Sequence, residues 1–299
     1  MIMLEIRKNN KFKLSKMFIH IIMILFTLFC VLPILLVIII SFMKEKEIFT
    51  TGYTFFPEQI TFAAYKQIFL NPKQLFTSYS VTIITTLVGT VVGLWLTASM
   101  AYAISRKDYR FRKLLAFYVF FTMLFNGGLV PTYIMIVSWL HINNTIFALL
   151  YPYLCGAFNV ILMRSFFRTI PDALIESAKI DGASEIRIFV QLILPLSKPG
   201  IATVGLFIAF SYWNDWFQSL MYTSDLKLIS LQYLLVSIMK NIEFLNSAAG
   251  RMLGGAAVDL PQYSARMAMC VLAAGPMLFI FPFFQKYFVK GLTVGSIKG

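Results

Sequence analysis

Residues 17–42, MFIHIIMILFTLFCVLPILLVIIISF, form an apolar run of 26 residues. A helix needs about 20 mainly apolar residues to cross a bilayer. The run is too long for the core of a secretory signal peptide, and no A-x-A cleavage site follows it, which favours a retained span. Of the 299 residues, 59% are hydrophobic and only 13% are charged, with a mean hydropathy of +0.77. We therefore expect an integral membrane protein and not a cytosolic enzyme.

Further apolar segments recur along the chain after this run and predict an all-α integral membrane protein with six transmembrane helices. The predicted spans are Met17–Phe42, Tyr79–Ser105, Leu114–Ser138, Thr145–Phe166, Pro199–Tyr222 and Arg266–Phe288. Residues 1–16 are predicted as a basic cytoplasmic tail, and residues 17–299 as a single transmembrane domain.

The basic residues predict the orientation of these spans. Eighteen of the 26 Lys and Arg residues lie in the tail, in the loops after spans two and four, and at the C-terminus. Basic residues accumulate on the cytoplasmic side of membrane proteins, so both termini are expected in the cytoplasm of a multi-pass protein. The formal charge of +13 thus lies at membrane edges and does not indicate nucleic-acid binding.

Motifs for catalysis and metal binding are absent from the sequence. It contains no G-x-x-x-x-G-K-[ST] phosphate loop and no G-x-S-x-G nucleophile elbow. His20 and His141 lack the spacing of metal ligands, and so do Cys30, Cys155 and Cys270, which we expect to be packed as apolar residues within spans. No catalytic or metal site is expected, and the chain should not hydrolyse ATP by itself.

Several spans contain residues that favour close packing or a broken helix. In span two, Gly89 and Gly93 belong to a stripe of small residues that lets another helix approach closely. Interruptions are expected from Asn126, Gly127, Gly128 and Pro131 in span three, from Pro152 and Gly156 near Asn159 in span four, and from Gly275, Pro276 and Pro282 in span six. Broken backbone within the membrane is tolerated where it lines a cavity, which favours a transport path.

Asp215 is the only acidic residue in any predicted span. Counting about 1.5 Å per helical residue from Pro199 places it about 24 Å from the cytoplasmic end of span five. It could bind a polar solute together with Asn214, or it could lie at the wet interface between anchoring tryptophans. A chain of carboxylates or an Arg-rich helix is missing, so neither proton coupling nor voltage sensing is indicated.

Residues 170–195, IPDALIESAKIDGASEIRIFVQLILP, form the predicted cytoplasmic loop between spans four and five. Pro171 and Asp172 suit the first turn of a helix. Gly182 suits its C-terminal stop, since glycine adopts the left-handed conformation at little cost. A second short helix should run from about Ala183 towards Pro195. Two short helices that meet at a glycine would form a compact projection, which we call the knob.

The knob resembles the EAA coupling motif of permeases from ATP-binding-cassette (ABC) importers, in its carbohydrate version. The matching residues are Glu176, Ala178, Asp181, Gly182, Ala183, Phe189, Ile193, Leu194, Pro195 and Pro199, with Ser177 in place of the usual alanine. Residues 52–53, 64–65, 126–133, 213–215 and 286–299 also resemble the maltose-permease-like family. Residues 127–133 and the C-terminal tail resemble in particular the branch associated with aldouronate and oligosaccharide uptake.

This resemblance implies the permease subunit of an ABC importer, which moves an oligosaccharide or sugar derivative from a solute-binding protein into the cytoplasm. The residues implied in coupling to the ATPase are Leu174, Glu176, Ala178, Asp181 and Gly182. The residues implied in the substrate pathway are Asn126, Asn159, Tyr212, Trp213, Asn214 and Asp215. Residues 17–299 would then be one permease domain in the bacterial plasma membrane.

The resemblance also implies partners. These are a second six-span permease, usually a different chain, a dimer of ABC ATPases that bind ATP and Mg²⁺, and an extracytoplasmic solute-binding protein that docks on outer loops such as Thr223–Ala265. Membrane lipid surrounds the protein, and no cofactor is expected on this chain. Two alternatives remain open: a stand-alone secondary carrier or channel for a small polar solute, and a membrane scaffold with a signalling role.

Overall fold

The computed structural model describes residues 2–247 and 261–295. The helices are α1 (Ile2–Ser41), α2 (Glu45–Thr51), α3 (Ala63–Ile68), α4 (Pro72–Ser105), α5 (Arg112–Leu124), α6 (Leu129–Ile134), α7 (Ile146–Leu150), α8 (Ala157–Phe167), α9 (Asp172–Ile180), α10 (Glu185–Ile188), α11 (Leu194–Leu196), α12 (Lys198–Trp213), α13 (Phe217–Tyr222), α14 (Leu231–Asn246) and α15 (Tyr263–Gly295). The turns Met135–Trp139 (π), Tyr151–Tyr153 (3₁₀) and Phe189–Ile193 (π) extend α6, α7 and α10, respectively. Among these described residues the only β-type pairing is one bridge between Met43 and Ile60, so the predicted all-α class is confirmed.

Three helical segments of the described chain are long and apolar enough to cross a membrane. They are Lys16–Ser41, Pro72–Ser105 and Tyr263–Pro282. The number rises to six if each of three bent helix pairs counts as one span; these pairs are Arg112–Leu124 with Leu129–Trp139, Ile146–Tyr153 with Ala157–Phe167, and Glu185–Leu196 with Lys198–Trp213. Helix α1 also includes most of the predicted basic tail.

The bends test the predicted interruptions. The Asn-Gly-Gly sequence of span three separates two helices that meet at 113°, and the break before Gly156 in span four gives 52°, so both interruptions are confirmed. The predicted break of span six was wrong, because α15 continues through Pro276 and Pro282. A proline within a helix removes one hydrogen bond, and a long helix can continue past this defect.

The described residues fall into two compact units. Within the described residues, the first comprises residues 2–70, 238–247 and 261–274, and the second comprises residues 71–237 and 275–295. In the first unit, the Glu45 carboxylate accepts hydrogen bonds from the backbone N–H groups of Gln262, Tyr263 and Ser264 at 2.8–3.1 Å, which caps the start of α15. Residues 248–260 of the predicted outer loop and residues 296–299 of the C-terminal tail lie outside the described residues.

The second unit is built on the close approach of α4 and α12, and α8 packs against both helices. Gly89 of α4 faces the ring of Tyr212, and Gly93 faces the Leu154 carbonyl and Ile208. The prediction that a small-residue stripe admits a neighbouring helix is therefore confirmed. By contrast, Cys30, Cys155 and Cys270 are exposed. They were expected to be packed as apolar residues within spans, and the described neighbours do not bury them; a membrane protein can turn such apolar residues towards lipid.

Candidate functional site

The first helix of the knob begins and ends close to where the sequence predicts. Helix α9 runs from Asp172 to Ile180 and follows Pro171. At its end, Gly182 has a φ of +78°, its N–H donates to the Lys179 carbonyl at 3.0 Å, and the Ala183 N–H donates to the Ala178 carbonyl at 3.0 Å. These two bonds are those of a Schellman motif, which ends a helix through a residue in the left-handed conformation. The predicted role of Gly182 as the helix stop is confirmed.

Helix α9 turns one face inward and leaves the other open. Ile175 is buried, and Ala178 is half-buried against the same apolar core. Leu174 is 45% exposed, and Ile180 is 87% exposed. Ile186, just beyond the turn, is 77% exposed. Of the predicted coupling residues, Leu174, Glu176, Asp181 and Gly182 are thus accessible, whereas Ala178 packs mainly against the apolar core.

The second part of the knob is continuous with the apolar core of the second unit. Ser184 caps α10 by accepting from the Arg187 N–H at 3.3 Å. Ile188, Phe189 and Ile193 are buried in the core that also includes residues of α4, α8 and α12. The chain then bends by 85° into α12. Because its inner residues share this core, the knob is packed onto the helices and is not a loose loop.

Charged residues join the knob to the loop that follows α4. The Lys179 ammonium donates to the Asp108 carboxylate and pairs with Glu185 at 2.7 Å. Lys107 pairs with Asp172 at 2.5 Å. The bond between Lys179 and Asp108 lowers the pKa of Asp108 and raises the pKa of Lys179, since each charge stabilises the other. Sequence reasoning missed this arrangement, and no local signal could have found it, because Asp108 and Lys179 are 71 residues apart.

Three aromatic rings pack together next to these charged residues. The Tyr102 hydroxyl donates to Glu185 at 2.6 Å, and its ring lies 5.1 Å from the ring of Phe189. Phe167 completes the group, with its ring centroid 6.5 Å from each of the other two. Aromatic residues of α4 and α8 therefore pack against Phe189, which lies in the second part of the knob.

The broken segment of span three is stabilised by its own side chain. The Oδ1 atom of Asn126 accepts from the Gly128 N–H at 2.9 Å, and Gly128 has a φ of +86°. Asn126 itself is exposed. This side chain shapes the turn and remains accessible at its surface.

The segment around Asp215 differs from the predicted continuous helix. Helix α12 ends at Trp213, and α13 begins at Phe217, so Asp215 lies in a break. Its Oδ1 atom accepts from the Gln218 N–H at 3.2 Å and from the Tyr153 hydroxyl at 3.1 Å. The carboxylate thus replaces the missing backbone acceptor at the start of α13. This local satisfaction explains how the helix can stop within an apolar segment.

The predicted pathway residues are consequently divided between the surface and the interior. Asn214 is exposed and Asn159 is half-buried, whereas Asp215 is only 8% exposed, and Tyr212 and Trp213 are buried. Burial contradicts the alternative in which Asp215 lies wet at the interface. It also means that direct access to Tyr212, Trp213 and Asp215 is restricted.

Three tertiary hydrogen bonds connect the break at Asp215 and the segment that follows it to other helices. The Tyr153 hydroxyl links the break in span four to the one after α12, since it meets Asp215. The Ser230 hydroxyl donates to the Asp215 carbonyl at 2.7 Å, and the Leu231 N–H donates to the Thr82 hydroxyl at 2.8 Å. Asn126 and Asn214 instead form their side-chain bonds within their own segments.

Comparisons with known proteins agree with this architecture. A model of the family described as "Binding-protein-dependent transport system inner membrane component" matches residues 9–294. The chain is 38% identical over 289 residues to the polygalacturonan/rhamnogalacturonan transport system permease protein YtcP of Bacillus subtilis (strain 168), covering 97% of this chain and 100% of that protein. It is 41% identical over 271 residues to the protein LplC of the same organism, covering 90% of each.

A solved structure gives the same picture. It is the crystal structure of a bacterial ABC transporter involved in the import of the acidic polysaccharide alginate. One of its chains superposes with a TM-score of 0.76 at 30% identity, covering 92% of this chain and 97% of that chain.

Proposed function

The chain belongs to the family of inner membrane components of binding-protein-dependent transport systems, and from this membership we propose which of its parts meet the ATPase and which meet the substrate. It is the permease subunit of an ABC importer for sugars or oligosaccharides. Its homologues are transport permeases and are not enzymes themselves. We place ATP and Mg²⁺ on a partner ATPase dimer, with no cofactor on this chain.

The proposed substrate is an anionic oligosaccharide that contains uronic acids. Support comes from the named substrates of two similar proteins, polygalacturonan/rhamnogalacturonan and the acidic polysaccharide alginate. The buried carboxylate of Asp215 adds a physical reason. Because that carboxylate is buried and accepts hydrogen bonds from Tyr153 and Gln218, it does not contact a passing anion directly.

Neutral and aromatic groups near the break suit such a substrate. Asn214 is exposed, and Trp216, which the predicted pathway omitted, is 40% exposed beside it. Amide groups can bind sugar hydroxyls, and an indole ring can stack on a pyranose face. We propose Asn126, Asn159, Asn214 and Trp216 as the residues that meet the substrate. The buried residues Tyr212, Trp213 and Asp215 would hold this segment in place without contacting the substrate.

The knob is the proposed contact with the ATPase. Leu174, Ile180 and Ile186 expose apolar side chains among charged neighbours, and a partner groove would remove these surfaces from water. Glu176 and Asp181 flank them and would supply polar contacts. The Schellman turn at Gly182 is the observation that carries this assignment, because it fixes the direction in which the knob projects.

The remaining partners follow from the same family. We propose that a second six-span permease, a different chain, completes the pathway and that an extracytoplasmic solute-binding protein delivers the substrate. The distribution of basic residues supports placing both termini in the cytoplasm at the plasma membrane.

Uptake measurements test both parts of the proposal. A strain that lacks this chain is complemented with wild type, Gly182→Asp or Gly182→Ala, and its uptake of a labelled oligogalacturonate is compared with that of a neutral oligosaccharide of equal length. Wild type should import the anionic sugar selectively. Gly182→Asp should insert normally and abolish uptake, while Gly182→Ala, which carries backbone strain without charge, should retain most of it. Wild-type uptake by a well-expressed Gly182→Asp variant would contradict the coupling role.

A further inference from the structure

We propose that Lys107 and Asp108 are positioning residues that fasten the knob to α4, so that a movement of the knob reaches α4 as well as α12. This inference rests on the proposed role of the knob in coupling. It concerns a different part of the chain, the loop after α4, to which the EAA resemblance assigns no function.

The two attachments hold opposite ends of α9. Lys107 pairs with Asp172, the first residue of the helix, and Asp108 accepts from Lys179 in its last turn. The two attached positions are seven residues apart in sequence, which corresponds to about 10 Å of helix. One attachment would let the helix pivot, whereas two attachments on adjacent residues fix its direction.

Further groups brace the anchoring side. The Arg106 guanidinium donates to Asp108 at 2.9 Å, and the Arg106 side chain is only 12% exposed. The Tyr102 hydroxyl, one turn earlier on α4, binds Glu185 of the knob. The attachment therefore continues from the exposed ion pairs into the body of α4.

Through this attachment, α4, α12 and the knob become mutually connected. The knob passes directly along the chain into α12. Helix α12 in turn touches α4 where Gly89 faces Tyr212 and where Gly93 lies near Ile208. The ion pairs of Lys107 and Asp108 add a direct connection between the knob and α4. Without them, the knob would act on α4 only through its packed apolar face and the hydrogen bond from Tyr102 to Glu185.

Stability alone is a poor explanation for these pairs. Their side chains are between 38% and 75% exposed on both the Lys and the Asp side. Exposed ion pairs contribute little to folding free energy, because water and salt screen them. Their geometry can nevertheless determine how the knob is oriented, so their loss should change coupling more than folding.

The double variant Lys107→Met/Asp108→Asn tests this inference. It leaves every residue of the knob in place and leaves the net charge unchanged. The complete complex of permeases, ATPases and binding protein is reconstituted in proteoliposomes, and both sugar transport and ATP hydrolysis are measured. We expect transport per ATP hydrolysed to fall at least about fivefold. ATP hydrolysis and the amount of co-purified ATPase should stay at wild-type values.

Two control variants define the result. Lys107→Arg/Asp108→Glu keeps both charges and should restore most of the transport per ATP. Lys113→Met removes an exposed cation from the first turn of α5, just beyond this loop, that pairs with no other described residue, and it should behave as wild type. A double variant with the wild-type ratio would overturn the inference, and so would loss of the ATPase from its complex, which would instead place this loop in the docking surface.

Gly182→Asp, measured in parallel, separates this inference from the proposed function. If Gly182→Asp uncouples transport and the double variant does not, only the attachment to α4 fails. If neither variant affects transport, the knob itself is not the coupling element.

Discussion

Replacing Gly89 with alanine should destabilise the protein more than any other single methyl group added at the contact of α4 and α12. A Cβ atom at this position would lie 2.3 Å from both the Cε2 and Cζ atoms of Tyr212. The ring cannot easily turn away, since it is 2% exposed and its hydroxyl donates to the Leu150 carbonyl at 2.6 Å. Either the two helices separate or this buried hydrogen bond breaks.

The structure allows the size of the effect to be estimated. Overpacking of a filled core costs about 1–3 kcal/mol. A Tyr212 hydroxyl that is forced off its acceptor adds about 1–3 kcal/mol. Alanine returns about 1 kcal/mol, because it favours a helix more than glycine does. The net loss of folding free energy is therefore about 1–5 kcal/mol.

Thermal unfolding of the purified protein in detergent measures this loss, and Gly205→Ala is the matched control. Gly205 lies on α12 at the same contact, but a Cβ atom there would be 3.6 Å from the Leu94 Cδ2 atom, an ordinary contact distance. Gly89→Ala should lower the unfolding midpoint clearly, whereas Gly205→Ala should leave it unchanged or raise it slightly. Equal midpoints for the two variants would refute the packing argument.

Three further predictions concern the break, the knob and its ion pairs. Asp215→Ala should cost about 1–3 kcal/mol in unfolding free energy, because the Gln218 N–H loses its acceptor. Asp215→Asn retains an oxygen and should lie within about 1 kcal/mol of wild type. An equal loss of stability in both variants would show that the charge matters and not the cap. Ile180→Glu should reduce the ATPase recovered with the permease on affinity purification without lowering membrane insertion, and full recovery would remove Ile180 from the docking surface. The Asp108 pKa is lowered, so its bond with Lys179 is fully present above the unfolded value of about 3.9 and is lost only as pH falls through the folded pKa. The Lys179 pKa is raised, so its share is present below about 10.4 and is lost as pH rises through the folded pKa. Transport per ATP should therefore be constant between about pH 6 and 8, and a titration in that range that Asp108→Asn removes would contradict this assignment.

Local signals explain why the knob could be predicted from the sequence. Pro171 and Gly182 act within a few residues of their positions, so their effects on helix start and stop do not depend on distant contacts. The Asn-Gly-Gly break in span three follows for the same reason, since Asn126 binds Gly128 in the same turn.

The break after Trp213 could not be predicted in this way. The sequence Trp-Asn-Asp-Trp contains neither glycine nor proline, and besides the local bond from Gln218, Asp215 has partners in Tyr153 and Ser230, which lie 62 and 15 residues away. Pro276 gave the opposite error, since a strong local breaker lies within a continuous helix. The ion pairs of Asp108 likewise depend on tertiary structure. Sequence patterns thus predicted elements with local causes and missed those with tertiary ones.

As a permease driven by partner ATPases, this chain should form a stable complex with them. Affinity purification from its native membrane in mild detergent, with every co-purifying subunit identified, shows whether it does. We expect recovery of a second six-span permease together with an ABC ATPase. Recovery of the chain without any ATPase would contradict the proposed role of the knob, and a stand-alone carrier would then have to be considered.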